Sequence, residues 1–215
     1  LFRIDSLGLG GEYRGEKGIR LERGVTETQL VTSRDGLHWT RVANRQVFLP
    51  LGAPGQWDGG WIVTSSELVV RQGEVKIYYG GSPGRFHRGT TRIGLAALPL
   101  DRFIAMKPAR LNAEAILELK PYWYPEDLRL NATVDQGGEI RAELLDFDGN
   151  VLRGYGRESF APLTTTSLGH ALVWRDGAEQ RTLPQAARGK AIRIRFYLKN
   201  AQLHALRSAG NRFGL

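Results

Sequence analysis

Strict alternation of apolar and polar residues is the feature that most limits what this chain can fold into. In Glu139-Ile140-Arg141-Ala142-Glu143-Leu144 the apolar side chains fall on one face. Ile192, Ile194, Phe196 and Leu198 do the same, with Arg193, Arg195 and Tyr197 opposite, and so do Leu128, Leu130, Ala132 and Val134. A period of two places each segment in a half-buried strand of an antiparallel sheet. Turn-forming clusters separate the segments: Asp135-Gln136-Gly137-Gly138, Asp148-Gly149-Asn150, Arg175-Asp176-Gly177 and Ala187-Arg188-Gly189-Lys190. Helical periodicity is absent apart from one short turn expected within 183–188. The fold class that follows is all-β.

The first half of the chain carries hairpin signals. Ser33-Arg34-Asp35-Gly36-Leu37-His38-Trp39 reads as a tight Asp-Gly corner. One strand precedes it through Gln29, Leu30 and Val31, and another runs from Trp39 to Val42. The serine is expected to bond to the turn and the tryptophan to pack over it. A second hairpin spans 68–81 around Gln72-Gly73, and a further strand follows at 92–98. "SRDGLHW", "VKIYYGG" and "TRIGLAAL" together resemble the last two blades of the five-bladed propeller glycoside hydrolases, the group that includes families 32, 43 and 130. The resemblance runs from about Thr26 to Phe103. It implies partial β-propeller blades in residues 1–104, followed by a β-sandwich of about eight strands in residues 105–215. The linker is expected near 101–110, where Met106-Lys107-Pro108 stands. Counterparts of the first three blades are absent. With Leu1 at its start and Met106 as its one methionine, the chain reads as a processed product or a C-terminal fragment.

Glycosidases of that clan set carboxylates on the innermost strands of successive blades. One protonates the leaving oxygen, and the other attacks or activates water. The resemblance therefore implies Glu27 and Asp58 as the catalytic acid/base pair of a glycoside hydrolase. Glu67, expected on the next inner strand, matches no motif of the family. Trp57 and Trp61 flank Asp58, and Arg85 and His87 follow the Gly80-Gly81-Ser82-Pro83-Gly84 loop; these four are expected to bind substrate. The same residues also have structural readings. Asp58 can cap the Gly59-Gly60 turn, Glu27 can be a rim charge, and both tryptophans can pack between strands. Accordingly the alternative function is a non-catalytic carbohydrate-binding or scaffolding module. Tyr122-Trp123-Tyr124 offers a second aromatic platform or a plug between domains.

Lys and Arg number 30 against 22 Asp and Glu, a net charge of +8. The arginines are spread along strands and no nucleic-acid motif accompanies them, so the partner expected is carbohydrate, an anionic polysaccharide among the candidates, and not nucleic acid. No apolar run approaches the ~18 residues of a membrane span, so no membrane partner is expected. Cysteine is absent, which excludes disulfides and thiolate sites and is compatible with a secreted or periplasmic location. His38, His87, His170 and His204 are too dispersed for a zinc motif, and Asp146-x-Asp148-Gly149-Asn150 fits a hairpin turn better than a calcium loop. No metal or cofactor is expected. Asn131-Ala132-Thr133 matches the N-glycosylation acceptor but lies mid-strand. An incomplete propeller would expose Val31, Val63, Leu68 and Val70 and an unpaired edge, favouring self-association unless Leu1-Phe2-Arg3-Ile4 folds back as a strand.

Overall fold

The computed structural model describes residues 2–6, 24–84, 89–124, 128–187 and 190–208. It is all-β, with 52% of residues in strands and a curled half-barrel sheet, and none of its helices reaches 7 residues among the described residues. The chain divides into two compact units, Leu1–Leu98 and Pro99–Leu215.

In the first unit the strands are β1 (Phe2–Ser6), β2 (Gly24–Gln29), β3 (Val31–Thr32), β4 (Thr40–Arg41), β5 (Val47–Leu49), β6 (Trp61–Thr64), β7 (Val69–Arg71), β8 (Glu74–Ser82) and β9 (Arg92–Pro99). Seven of them form a single sheet in the order β1-β2-β6-β8-β7, with β5 beside β2 and β9 beside β8. The β2–β6 pair is parallel, with Thr26 opposite Trp61. The strands expected as two blades are thus hydrogen-bonded into one sheet. The N-terminal fold-back occurs: β1 lies antiparallel on β2, with Phe2 opposite Thr28.

The Asp35-Gly36 corner is a hairpin, but its loop is longer than a two-residue turn. Val31 pairs with Arg41 and Thr32 with Thr40, which leaves 33–39 as the loop. Short side chains bridge it: Ser33 Oγ accepts the Gly36 N–H at 2.8 Å, and Asp35 Oδ1 accepts the N–H groups of Leu37 at 2.9 Å and His38 at 2.8 Å. Trp39 closes the corner by donating its Nε1–H to Gly36 O at 3.1 Å and not by packing, since it is 61% exposed. The β7–β8 turn is the two-residue kind. Gln72 and Gly73 have φ of 55° and 77°, the paired positive angles of a type I′ turn.

The second unit contains β10 (Glu114–Glu118), β11 (Leu128–Leu145), β12 (Ser167–Ala171), β13 (Trp174–Asp176), β14 (Glu179–Arg181), the single-turn helix α1 (Leu183–Ala186) and β15 (Arg193–Ser208). A four-stranded sheet runs β10-β15-β11-β12, and β13 with β14 makes a separate hairpin. The turn expected at 135–138 is instead a bulge inside β11. Val134 pairs with Ala201 and Glu139 with Lys199, so one strand continues across the extra residues. Asn200, opposite, takes a left-handed φ of 44°. That kink shifts the inward face of β15 from Ile194, Phe196 and Leu198 to Ala201 and Leu203. A Cβ on Gly138 would run into Asn200 O, so the bulge needs glycine there.

The inward residues pack around Trp174, which is fully buried. Its ring meets Tyr155 and Phe160 edge to face, at 5.6 Å and 5.0 Å, and its Nε1–H donates to Ala142 O at 3.2 Å. On the opposite face, register decides the charge pairing. Arg195 lies opposite Glu118 on one side and Glu143 on the other, and it bonds both, at 2.8 Å in each case. Arg193 also reaches Glu118, and the Tyr197 hydroxyl donates to Glu143 at 2.7 Å. Arginines that the sequence spreads along the strands are therefore neutralised across them.

A second bulge shifts the register at Asn131, where side-chain hydrogen bonds brace the strand. Arg102 supplies the donors: it bonds Asn131 Oδ1 at 3.0 Å and Ala132 O at 3.1 Å, while Asn131 Nδ2 donates to Leu100 O at 2.6 Å. Met106 and Leu203 exchange two backbone hydrogen bonds. The stretch read as a linker from the sequence is thus part of this unit. α1 has the expected helical turn, closed by a Thr182/Gln185 capping box.

Two outcomes are expected. Trp174→Ala removes the central ring and costs about 3–5 kcal/mol of unfolding free energy, read by urea denaturation. Hydrogen bonds from Arg193 and Arg195 hold the Glu118 carboxyl below its ordinary value of 4.5. The stabilisation this gives is present above that value and is lost as pH falls through the lower folded-state value. Glu118→Gln should flatten the fall of the urea midpoint between about pH 5 and pH 2, the window below the unfolded carboxylate value.

Candidate functional site

The sequence concentrates its candidate chemistry in the 52–61 loop and on β8. The loop is a run of tight turns. Gln56 N–H donates to Ala53 O at 2.9 Å, Gly59 N–H to Gln56 O at 3.1 Å, and Gly60 N–H to Ser82 O at 3.1 Å. The last bond anchors the loop on β8 and aims Trp57 and Asp58 across that strand.

Alternation along β8 decides what the loop meets. Tyr79 and Gly81 point to one face, Tyr78 and Gly80 to the other. On the first face the Tyr79 hydroxyl donates to Asp58 Oδ2 at 2.9 Å. Trp57 stacks on the Tyr79 ring, with centroids 5.7 Å apart and an interplanar angle of 18°. Burial, followed by the bond to Asp58, raises the Tyr79 hydroxyl above its ordinary value of 10.0, so it stays a proton donor at neutral pH. Three glycines make room for this group. A Cβ on Gly52 would strike Asp58 Oδ1, one on Gly81 would come within 2.8 Å of Asp58 Cβ, and one on Gly94 would run into the Tyr79 ring.

Trp61 lies elsewhere. It starts β6, and the atom of Gly80's surroundings that its ring supplies is 3.8 Å from where a Gly80 Cβ would stand. Trp57 and Trp61 are therefore on opposite faces of β8. Trp57 and Trp61, which flank Asp58 in the sequence and were both expected to bind substrate, are separated by three residues of tight turn, and the chain crosses to the other side as it enters β6.

Glu27 is on β2, half-buried, and accepts a bond from Gln29 Nε2 at 3.3 Å. Gln29 in turn accepts from Arg41 Nη1 at 3.3 Å. Through Thr26, β2 runs beside Trp61 of β6. Glu67 is not on a strand; it is exposed in the connection between β6 and β7, where its carbonyl accepts from Ser65 Oγ at 2.8 Å. Arg85 and His87 lie outside the described residues. Among the described residues no three His, Asp or Glu side chains gather as a metal ion would require. Asp146 closes its own turn by accepting the Asn150 N–H at 2.8 Å. Tyr122 and Trp123 are 64% and 57% exposed, and Tyr122 meets Tyr124 edge to face at 5.2 Å.

Tyr79 was not among the residues the sequence singled out. Its signal was positional: it stands one strand period before Gly81, so any side chain resting on that glycine had to meet it. No family model, curated protein or solved structure matches this chain.

Gly94→Ala should disrupt the stack. The added methyl meets two rings already in contact, which costs about 1–3 kcal/mol, visible as a lowered melting temperature and an altered near-ultraviolet tryptophan signal.

Proposed function

We propose that this chain is a carbohydrate-binding module on the scaffold of a propeller glycoside hydrolase, and that the Trp57–Asp58–Tyr79 group is where sugar docks. The observation that carries this reading is the bond from Tyr79 to Asp58 beside a stacked tryptophan. It fixes a carboxylate through Oδ2, with Oδ1 seated against Gly52, and so holds a rigid acceptor beside the ring. The flanking ring offers an apolar face for sugar C–H groups. Such a pairing of an aromatic face with a rigid acceptor suits a neutral or hydroxyl-rich ring. The +8 charge of the whole chain favours polysaccharides that also carry acidic groups.

Glycosidic-bond cleavage by Asp58 with Glu27 is the second reading. It rests on the resemblance to families 32 and 43 and on β2, which bears Glu27, running beside the strand that follows Asp58. Retention requires carboxylates about 5–5.5 Å apart, and inversion about 6.5–9.5 Å. Asp58 is held by the neutral Tyr79 hydroxyl, which suits an acceptor of fixed geometry better than a proton shuttle.

The test is calorimetric titration of the full chain with a panel of neutral and uronic-acid polysaccharides, with product analysis of the same mixtures. Binding without hydrolysis is expected. Asp58→Asn and Trp57→Ala should each weaken it about tenfold or more, and Trp61→Ala, on the other face of β8, should leave it within about twofold. Hydrolysis abolished by both Asp58→Asn and Glu27→Gln would establish the second reading instead.

A further inference from the structure

We infer that β9 is a self-pairing edge, through which two copies of this chain join their sheets antiparallel about a two-fold axis at Leu95. Among the described residues, β9 has a strand neighbour on one side, β8, and β8 takes β6 and β7. Among the described residues no strand lies on the other side of β9, which there presents alternate backbone N–H and C=O groups. Groups in that array are satisfied by water or by another extended strand, so the edge itself specifies the shape of its occupant.

The residues specify the rest. Edges that stay single carry charges, proline or a bulge as guards. β9 has Arg92 and Pro99 at its ends, but the six residues between them, Ile-Gly-Leu-Ala-Ala-Leu, carry neither charge nor proline. Its outward face is apolar and open, with Ile93 82% and Leu95 52% exposed, beside Tyr78 of β8 at 45%.

A second copy fits this edge by symmetry. An antiparallel pair related by a two-fold normal to the sheet must match residues of the same face, so one residue stands opposite its own copy with the axis midway between them. With Leu95 as that residue, Leu95 meets Leu95, Ile93 meets Ala97, and Gly94 meets Ala96. On the outward face Ile93 then meets the small Ala97 on either side of the Leu95 pair. Arg92 meets Leu98, so the two arginines stand at opposite ends and no like charges are apposed. A strand bearing charges would lose this match, which favours the same sequence as the partner. The contact differs from the edge expected of an incomplete propeller at the N-terminus, because β1 lies along β2 there.

The experiment is sedimentation equilibrium of the full chain over a wide concentration range. Cysteine cross-linking accompanies it and is unambiguous because the chain has no cysteine of its own. A reversible dimer is expected. Leu95→Lys, at an exposed position that keeps the monomer folded by circular dichroism, places like charges opposite each other and should weaken the dimer about tenfold or more. Leu95→Cys should form a disulfide-linked dimer under mild oxidation, and Leu111→Cys, at an 86% exposed site in the other unit, should not. A chain monomeric at every concentration would overturn the proposal. So would a dimer indifferent to Leu95→Lys, or equal cross-linking at positions 95 and 111.

Discussion

The antiparallel pairing of Leu128–Leu145 with Arg193–Ser208 is the contact on which the second unit depends. No other pair of strands runs as long among the described residues, and the neighbours β10 and β12 attach to one or the other of its members. Two strands of such length cannot stay flat, because twist accumulates along them. The bulges at Asn131 and at 135–138 release it. Each is matched by an adjustment elsewhere: Arg102 bonds Asn131 Oδ1 and Ala132 O at the first, and Asn200 adopts a left-handed backbone opposite the second. What looks like loop chemistry is the consequence of long strands.

The two faces of that pair solve different problems. Inside, Trp174 fills the curve of the sheet and places its one polar atom on a main-chain carbonyl. Outside, Arg195 stands between two carboxylates because register leaves it no other neighbours. A chain with a high net positive charge thus spends part of it within its own sheet. The second unit is correspondingly a weak candidate for the surface that meets a polyanion. In the first unit the governing constraint is space. Glycines at 52, 81 and 94 let Trp57, Asp58 and Tyr79 sit against the sheet, and side chains at those positions would push them off.

Much of this was legible in the sequence. Period-two alternation located the long strands, and the Gln72-Gly73 hairpin, the Arg92–Leu98 strand and a short helical turn within 183–188 were also expected. The connectivity was not legible. Asp135-Gln136-Gly137-Gly138 has the composition of a hairpin, yet it is a bulge, because the partner strand continues past it and composition says nothing of a partner distant in sequence. Trp57 and Trp61 looked like one cluster because they flank the same aspartate. Which face each reaches depends on how the chain turns through Gly59-Gly60, a matter of backbone path. Tyr79 was hidden for the converse reason: its tie to Asp58 spans two strands.

Asn131 carries a consequence for where such a protein can be made. It is fully buried, its amide nitrogen bonded to Leu100 O and its oxygen to Arg102. An oligosaccharide transferred to that nitrogen during synthesis would remove the donor and place a bulky polar chain in the sheet interior. In a host that attaches glycans at Asn-x-Thr, modification and folding of this unit therefore exclude one another. Glycan occupancy would count the molecules that were tagged before β11 found β15, and so would act as a clock for how quickly that pairing forms.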